Sequence, residues 1–210
     1  MLKITFLGTG TSQGIPVIGS KHPVCLSDNP KDIRLRTSAL IQWNNKNIVI
    51  DCGPDFRAQM LNSGCHRVDA IFFTHEHNDH VSGLDDIRPF YFRQGNIPIY
   101  AGIRVIDALK KRFEYIFKSE GNIPGTPNVK IIQIHDNFMF FETEIILLNA
   151  FHGKLPIYGF RIGKSIAMGM IKPEFANTGQ KLKVDILGKM HEATILEDSP
   201  YDPENNLLRA

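Results

Sequence analysis

The chain has 210 residues, 42% hydrophobic and 22% charged, with a net charge of +2 spread along its length. That fits one globular domain, or two fused halves, with a real core, and it argues against a basic arm for nucleic acid; Lys110-Lys111-Arg112-Phe113 reads as the solvated face of a helix. Three cysteines, Cys25, Cys52 and Cys65, are too few for a disulfide framework. No apolar stretch approaches the ~20 residues needed to span a bilayer, and the N-terminal apolar run is too short for a signal peptide, so no membrane partner is expected and the cytoplasm is the expected compartment.

Residues 2–7 alternate as a strand. Gly8, Gly10 and Gly14 then open a loop running to about Asp32, longer than a plain connection needs. Residues 38–43 and 47–51 read as a hairpin across Asn44-Asn45-Lys46. A helix is predicted over 55–61, with Asp55 at its start and Gly64 as its stop. Residues 68–74 form a nearly continuous apolar run, the pattern of a strand buried on both faces. Apolar spacing predicts a helix over 105–117. Strands are predicted at 129–134, 138–141, 145–150 and 158–162, with 165–168 pairing to the last across Gly163-Lys164. Beyond Gly169 the pattern weakens: Leu182, Val184 and Ile186 alternate, and the tail from 198 reads as irregular. The fold class is α/β with a mixed sheet.

The chemistry concentrates after the buried strand, in Phe72-Phe73-Thr74-His75-Glu76-His77-Asn78-Asp79-His80. Neutral imidazoles and a carboxylate suit Zn, Fe or Mn. His75 and His77 are two apart, so an extended backbone points both the same way. Asp79 and His80 follow on the next turn and reach toward a second ion. A solvated loop would not need three histidines.

This H-x-H-x-D-H pattern after an apolar strand resembles the metallo-β-lactamase superfamily. The start ITFLGTGTSQGIPV, together with RLRTSALI (residues 34–41), IVIDCGPDFR (48–57) and HGKLPIYGFRIG (152–163), is similar to its PhnP-like subgroup, the phosphoribosyl 1,2-cyclic phosphate phosphodiesterases, over about residues 1–163. The resemblance implies an αββα sandwich whose second half is incomplete, as a domain over 1–168 followed by a divergent segment over 169–210. It implies two divalent metal ions, Zn or Mn. His75, His77 and His152 hold the first, Asp79 and His80 help hold the second, and Asp51 supports the site. The implied activity is that of a phosphodiesterase: attack of a metal-bound hydroxide on a small cyclic phosphodiester, with Asp79 accepting a proton and Lys154 as a candidate phosphate contact. Arg88 is a weaker one, read as an exposed charge. The partner is this small molecule, with a homodimer as the expected assembly.

Two departures qualify the resemblance. The subgroup's bridging aspartate has no counterpart in the stretch after Gly163, and its C-terminal histidine segment is not recognisable. Asp185 and His191 are the remaining candidates, and both read more simply as surface residues. With only Asp79 and His80 left for it, the second position is poorly held, so a single bound ion is the alternative. In the N-terminal loop the subgroup's structural zinc is reduced to Cys25 and His22, with Ser20 where a cysteine often stands, short of the four ligands such a site wants. Cys52 and Cys65 read as small buried hydrophobes. The rival functions are a metal-binding protein of the same fold with catalysis lost, or a thioester, lactone or RNA hydrolase.

Overall fold

The computed structural model describes residues 2–117, 124–162, 177–186 and 189–195. The chain divides into two compact units, Met1–Lys164 and Ser165–Ala210. The first opens with β1 (Lys3–Gly8) and an irregular loop carrying two short 3-10 turns, Pro23–Leu26 and Pro30–Asp32. β2 (Ser38–Trp43) and β3 (Lys46–Ile50) form the predicted hairpin, but its turn is two residues long rather than three. Asn44 and Asn45 both take positive φ, 46° and 58°. That geometry matches the twist of the flanking strands, so Lys46 pairs with Trp43 in the ladder. α1 (Phe56–Ser63) stops at Gly64, which is left-handed at φ 64°. Asp55 makes no cap: its carboxylate instead accepts the backbone N–H and a guanidinium N–H of Arg36, each at 2.8 Å.

β4 (Ala70–Phe72), β5 (Ile97–Ala101) and β6 (Val129–Gln133) run parallel to β3, completing a six-stranded sheet in the order β1-β2-β3-β4-β5-β6. The crossovers carry α2 (Asn78–Val81), a 3-10 turn at Leu84–Ile87, α3 (Arg88–Gln94), α4 (Ile103–Arg112) and α5 (Glu114–Phe117). The single helix predicted over 105–117 is broken at Phe113, whose φ of −119° and ψ of 42° leave the helical region.

The sheet is buried on both faces. Ala70 and Phe72 face one side and Ile71 and Phe73 the other, all with no exposed surface. On the Ile71 side the sheet packs against Phe56 and Met60 of α1, Phe90 of α3 and Leu109 of α4. On the Phe72 side lies a second, antiparallel sheet of β7 (Phe138–Phe140), β8 (Thr143–His152) and β9 (Leu155–Ile162). The Phe72 ring sits 5.3, 5.5 and 5.2 Å from those of Phe138, Phe140 and Phe160, at the separations aromatic pairs favour. This gives helices on sheet on sheet, three layers of the αββα sandwich. Among the described residues, no helix covers the outer face of the second sheet.

The second unit contains a hairpin of β10 (Lys181–Ile186) and β11 (Lys189–Thr194), in which Asp185 pairs with Met190 and His191 with Val184. The strand predicted at 165–168 and the tail from 198 lie outside the described residues. No helix among the described residues is long and apolar enough to cross a membrane.

Candidate metal centre

Asp51 directly follows β3, His75 to His80 follow β4, and His152 is the last residue of β8. All stand at the carboxyl ends of their strands, where sheets of this kind place their ligand groups. Gly153, left-handed at φ 63°, and Lys154 form the β8–β9 turn. The Tyr158 N–H donates to the Thr74 carbonyl at 3.0 Å, tying β9 to the end of β4 and so carrying His152 to the cluster. The His75 ring centroid lies 4.7 Å from His77, 4.1 Å from His80 and 5.9 Å from His152, with His77 and His152 5.5 Å apart.

Asp51 organises this cluster from below. It is buried, at 2% exposure, and held at φ 60°, a conformation Asp tolerates better than most residues. One carboxylate oxygen accepts the Thr74 backbone N–H at 2.8 Å. The other accepts the Thr74 hydroxyl at 2.8 Å and meets His80 Nδ1 at 2.7 Å. The Thr74 hydroxyl has one proton, and Asp51 takes it. The 2.9 Å contact between Thr74 Oγ1 and His75 Nδ1 therefore has Nδ1 as donor, which leaves the His75 Nε2 lone pair free. Burial, with the neighbouring His80, pushes the His75 pKa down to about 4, so its imidazole is neutral at physiological pH.

His80 is fixed in the same way. Its Nδ1–H is committed to Asp51, and its Nε2 stands 3.3 Å from Asp79 Oδ2. Two lone-pair donors face each other across that gap and need a proton or a cation between them. Burial lowers the His80 pKa, but the hydrogen bond it donates to Asp51 and the charges of Asp51 and Asp79 outweigh it, and the net shift is upward. A tetrahedral ion with bonds of ~2.0–2.1 Å spaces its ligand atoms by about 3.3 Å, so the gap suits a divalent cation as well as a proton. Carboxylate–imidazole pairs of this kind commonly orient metal ligands. Among the described residues, no three donors already stand in a finished ligand arrangement; the fit rests on the lone pairs at His75 and His80, the Asp79 carboxylate and the nearby rings of His77 and His152.

A His80 pKa raised in the metal-free protein means that a cation at Nε2 displaces a proton. Metal affinity is therefore expected to climb as pH rises through that pKa, with proton release greatest below it. Calorimetry of Zn²⁺ binding at pH 6 and pH 8, in buffers of different ionisation enthalpy, reads this directly. Equal proton release at both values would contradict the Asp51–His80–Asp79 arrangement.

The loops after β3 and β4 are pressed backbone to backbone. The Cys52 N–H donates to the His80 carbonyl at 2.8 Å and the Gly83 N–H to the Cys52 carbonyl at 2.9 Å. A Cβ on Gly53 would fall 2.0 Å from the Asp79 carbonyl oxygen. Gly53→Ala is thus expected to cost about 1–3 kcal/mol, seen as a lower melting temperature, and to shift Asp79.

Other sequence candidates stand elsewhere. Lys154 is exposed in the turn beside His152. Arg88 is paired with Asp85, which also accepts the Tyr115 hydroxyl at 2.8 Å. In the N-terminal loop His22 Nδ1 accepts the Val24 N–H and Cys25 Sγ the Val17 N–H, so these side chains cap turns. Cys52 is fully buried, whereas Cys65 is only partly so, its thiol donating to the Arg67 carbonyl at 3.0 Å. Asp185 and His191 lie on the hairpin of the second unit. Thr74, Glu76 and Tyr158 escape the sequence reading: a strand-end threonine, a residue between two histidines and a strand tyrosine carry no signal of their own.

The sequence pattern of the β-lactamase superfamily domain matches residues 46–170, more than half of the chain. That of the glycine cleavage T-protein C-terminal barrel domain matches residues 156–202, overlapping the end of the first match. An octanoyltransferase of Porphyromonas gingivalis is 40% identical over 166 residues, covering 78% of this chain and 33% of that protein. A ribonuclease Z of Crocosphaera subtropica is 28% identical over 184 residues, covering 84% of this chain and 53% of that one. The chain thus spans between a third and about half the length of these curated relatives. Among solved structures, a diphosphatase from the PhnP family superposes with a TM-score of 0.70 at 38% identity, covering 78% of this chain and 63% of that one. Zn²⁺-bound PqqB from Methylobacterium extorquens shares the fold at a TM-score of 0.57 and 15% identity, covering 77% of this chain and 58% of that one. With its buried parallel strands, its H-x-H-x-D-H loop at their carboxyl ends and these matches, the chain belongs to the metallo-β-lactamase superfamily and is PhnP-like within it.

Proposed function

We propose that the chain is a divalent-metal hydrolase of small phosphodiesters, using Zn or Mn, with a cyclic phosphodiester such as a ribose cyclic phosphate as substrate. The observation that carries this reading is the pair of opposed donors, His80 Nε2 and Asp79 Oδ2 at 3.3 Å, beside a neutral His75 whose Nε2 is free. The likeness to a PhnP-family diphosphatase supports phosphate chemistry over the superfamily's other reactions.

His75, His77 and His152 would hold one ion, and Asp79 and His80 a second. Bound divalent metal supplies a water acidified toward neutral pH and charge neutralisation at phosphoryl oxygens. The protein's own groups do the rest. Asp51 fixes the His80 tautomer through Nδ1 and the His75 tautomer through Thr74. Asp79, with 20% of its side chain exposed, would be the carboxylate to accept a proton from the attacking water. The Lys154 ammonium, carried by the turn next to His152, is the candidate to meet the substrate's charge.

A second reading has its own observation. The superfamily pattern ends at residue 170, and residues 156–202 match a different domain. This favours a one-ion site, or a metal-binding protein with weakened catalysis. The test is metal analysis followed by a substrate panel of bis(p-nitrophenyl) phosphate, a ribose cyclic phosphate, a thioester, a lactone and a precursor tRNA. Turnover of the two small phosphodiesters alone, and not of the precursor tRNA, is the expected result. Bound metal with no turnover would favour the second reading, and turnover of only the thioester or lactone would overturn the first.

A further inference from the structure

We infer that Arg104 and Arg112 of α4 are positioning residues for the His75–His77 pair, acting through Glu76; this rests on the metal-site reading above. Glu76 is the residue between the two histidines, so its backbone sets the direction in which both rings leave the chain. Its carboxylate is paired with the Arg104 guanidinium, and its backbone carbonyl accepts Arg112 Nη1–H at 2.9 Å. Both arginines stand on one helix, at its first and last turns. That helix is anchored by Val105, Ile106 and Leu109, which are 3%, 3% and 0% exposed in the main core. The loop's other holds lie on either side: Thr74 is fixed by Asp51 and Tyr158, and the His77 carbonyl by the His80 N–H. Glu76 is therefore where α4 fastens the loop, and the fastening is two-handed, one arginine on the side chain and one on the main chain. A planar guanidinium suits this because its N–H groups have fixed directions.

A positioning role makes a prediction opposite in sign to a purely electrostatic one. Arg104 is a cation near a cation site. If it acted only through its charge, removing it would strengthen metal binding. If it acts by holding Glu76, removing it weakens binding, by the roughly 10–100-fold seen when outer supports of metal ligands are lost. The Arg104 side chain is 49% exposed, so its truncation leaves the core intact.

The experiment measures Zn²⁺ affinity by competition with a chromophoric chelator, for the wild-type chain and for Arg104→Ala, Arg104→Lys, Glu76→Ala and the double variant Arg104→Ala/Glu76→Ala. Melting curves confirm that each is folded. The expected result is a loss of about 10-fold for Arg104→Ala, a smaller loss for Arg104→Lys, and no further loss when Arg104→Ala is added to Glu76→Ala, since the two act through one contact. Unchanged or tighter binding by Arg104→Ala, or a full additive loss in the double variant, overturns the inference while leaving the metal site standing. A wild-type chain that binds no Zn²⁺ overturns both.

Discussion

His77→Ala is expected to abolish metal binding at the first position and to lower phosphodiester hydrolysis by about 10³-fold. Three protein ligands are the usual complement of a catalytic zinc, and His77 is one of the three candidates here, with ring centroids 4.7 Å from His75 and 5.5 Å from His152. Losing the ion removes several kcal/mol of charge stabilisation, and about 4 kcal/mol corresponds to that factor in rate. The His77 ring is exposed, so the variant should fold and melt like the wild type. Metal content by mass spectrometry and hydrolysis of bis(p-nitrophenyl) phosphate, measured on one preparation, check both halves. Full metal content with full activity would remove His77 from the site.

The second large effect is at Asp51, where two substitutions separate structure from chemistry. Asp51→Ala leaves the Thr74 N–H, the Thr74 hydroxyl and the His80 Nδ1–H without their acceptor in a buried place. A cost of about 3 kcal/mol is expected, read by denaturant unfolding. Asp51→Asn keeps the shape but sets an amide NH₂ or oxygen against His80 Nδ1. With the NH₂ there, the favoured tautomer moves the His80 proton to Nε2, where it blocks the metal. Near-normal stability with at least a 10-fold loss of metal affinity is the expected outcome. An Asp51→Asn chain that binds metal as the wild type does would show that the His80 tautomer is not set by Asp51.

The parts of the fold that were legible in the sequence are those whose burial is symmetrical or whose turn chemistry is local. The run over residues 68–74 reads as a doubly buried strand because both of its faces are in fact covered, by helices on one side and the second sheet on the other. The β2–β3 turn is announced by two asparagines that tolerate positive φ. β5 is not legible, because Pro98 interrupts a short apolar run and only the parallel pairing with β4 and β6 makes it a strand. α3 is hidden by Arg88-Pro89 at its start, and the break at Phe113 by apolar residues that continue the helical spacing into α5.

The site divides in the same way. His75, His77, Asp79 and His80 are concentrated in one loop and read directly. His152 comes from a distant hairpin, and only the resemblance joined it to the others. Thr74, Arg104 and Arg112 act through single contacts that exist only once β4, β9 and α4 are packed. No spacing in the sequence encodes those contacts. Beyond residue 170 the superfamily pattern is no longer matched, and residues 156–202 match a different domain.

The most direct test is to count metal ions per chain and follow what chelation does to hydrolysis. At least one divalent ion per chain is expected, with phosphodiester hydrolysis lost on exhaustive chelation and restored by Zn²⁺ or Mn²⁺. A chain that carries no metal, takes up none and shows no hydrolysis after either ion is added would contradict a metal hydrolase at His75–His80.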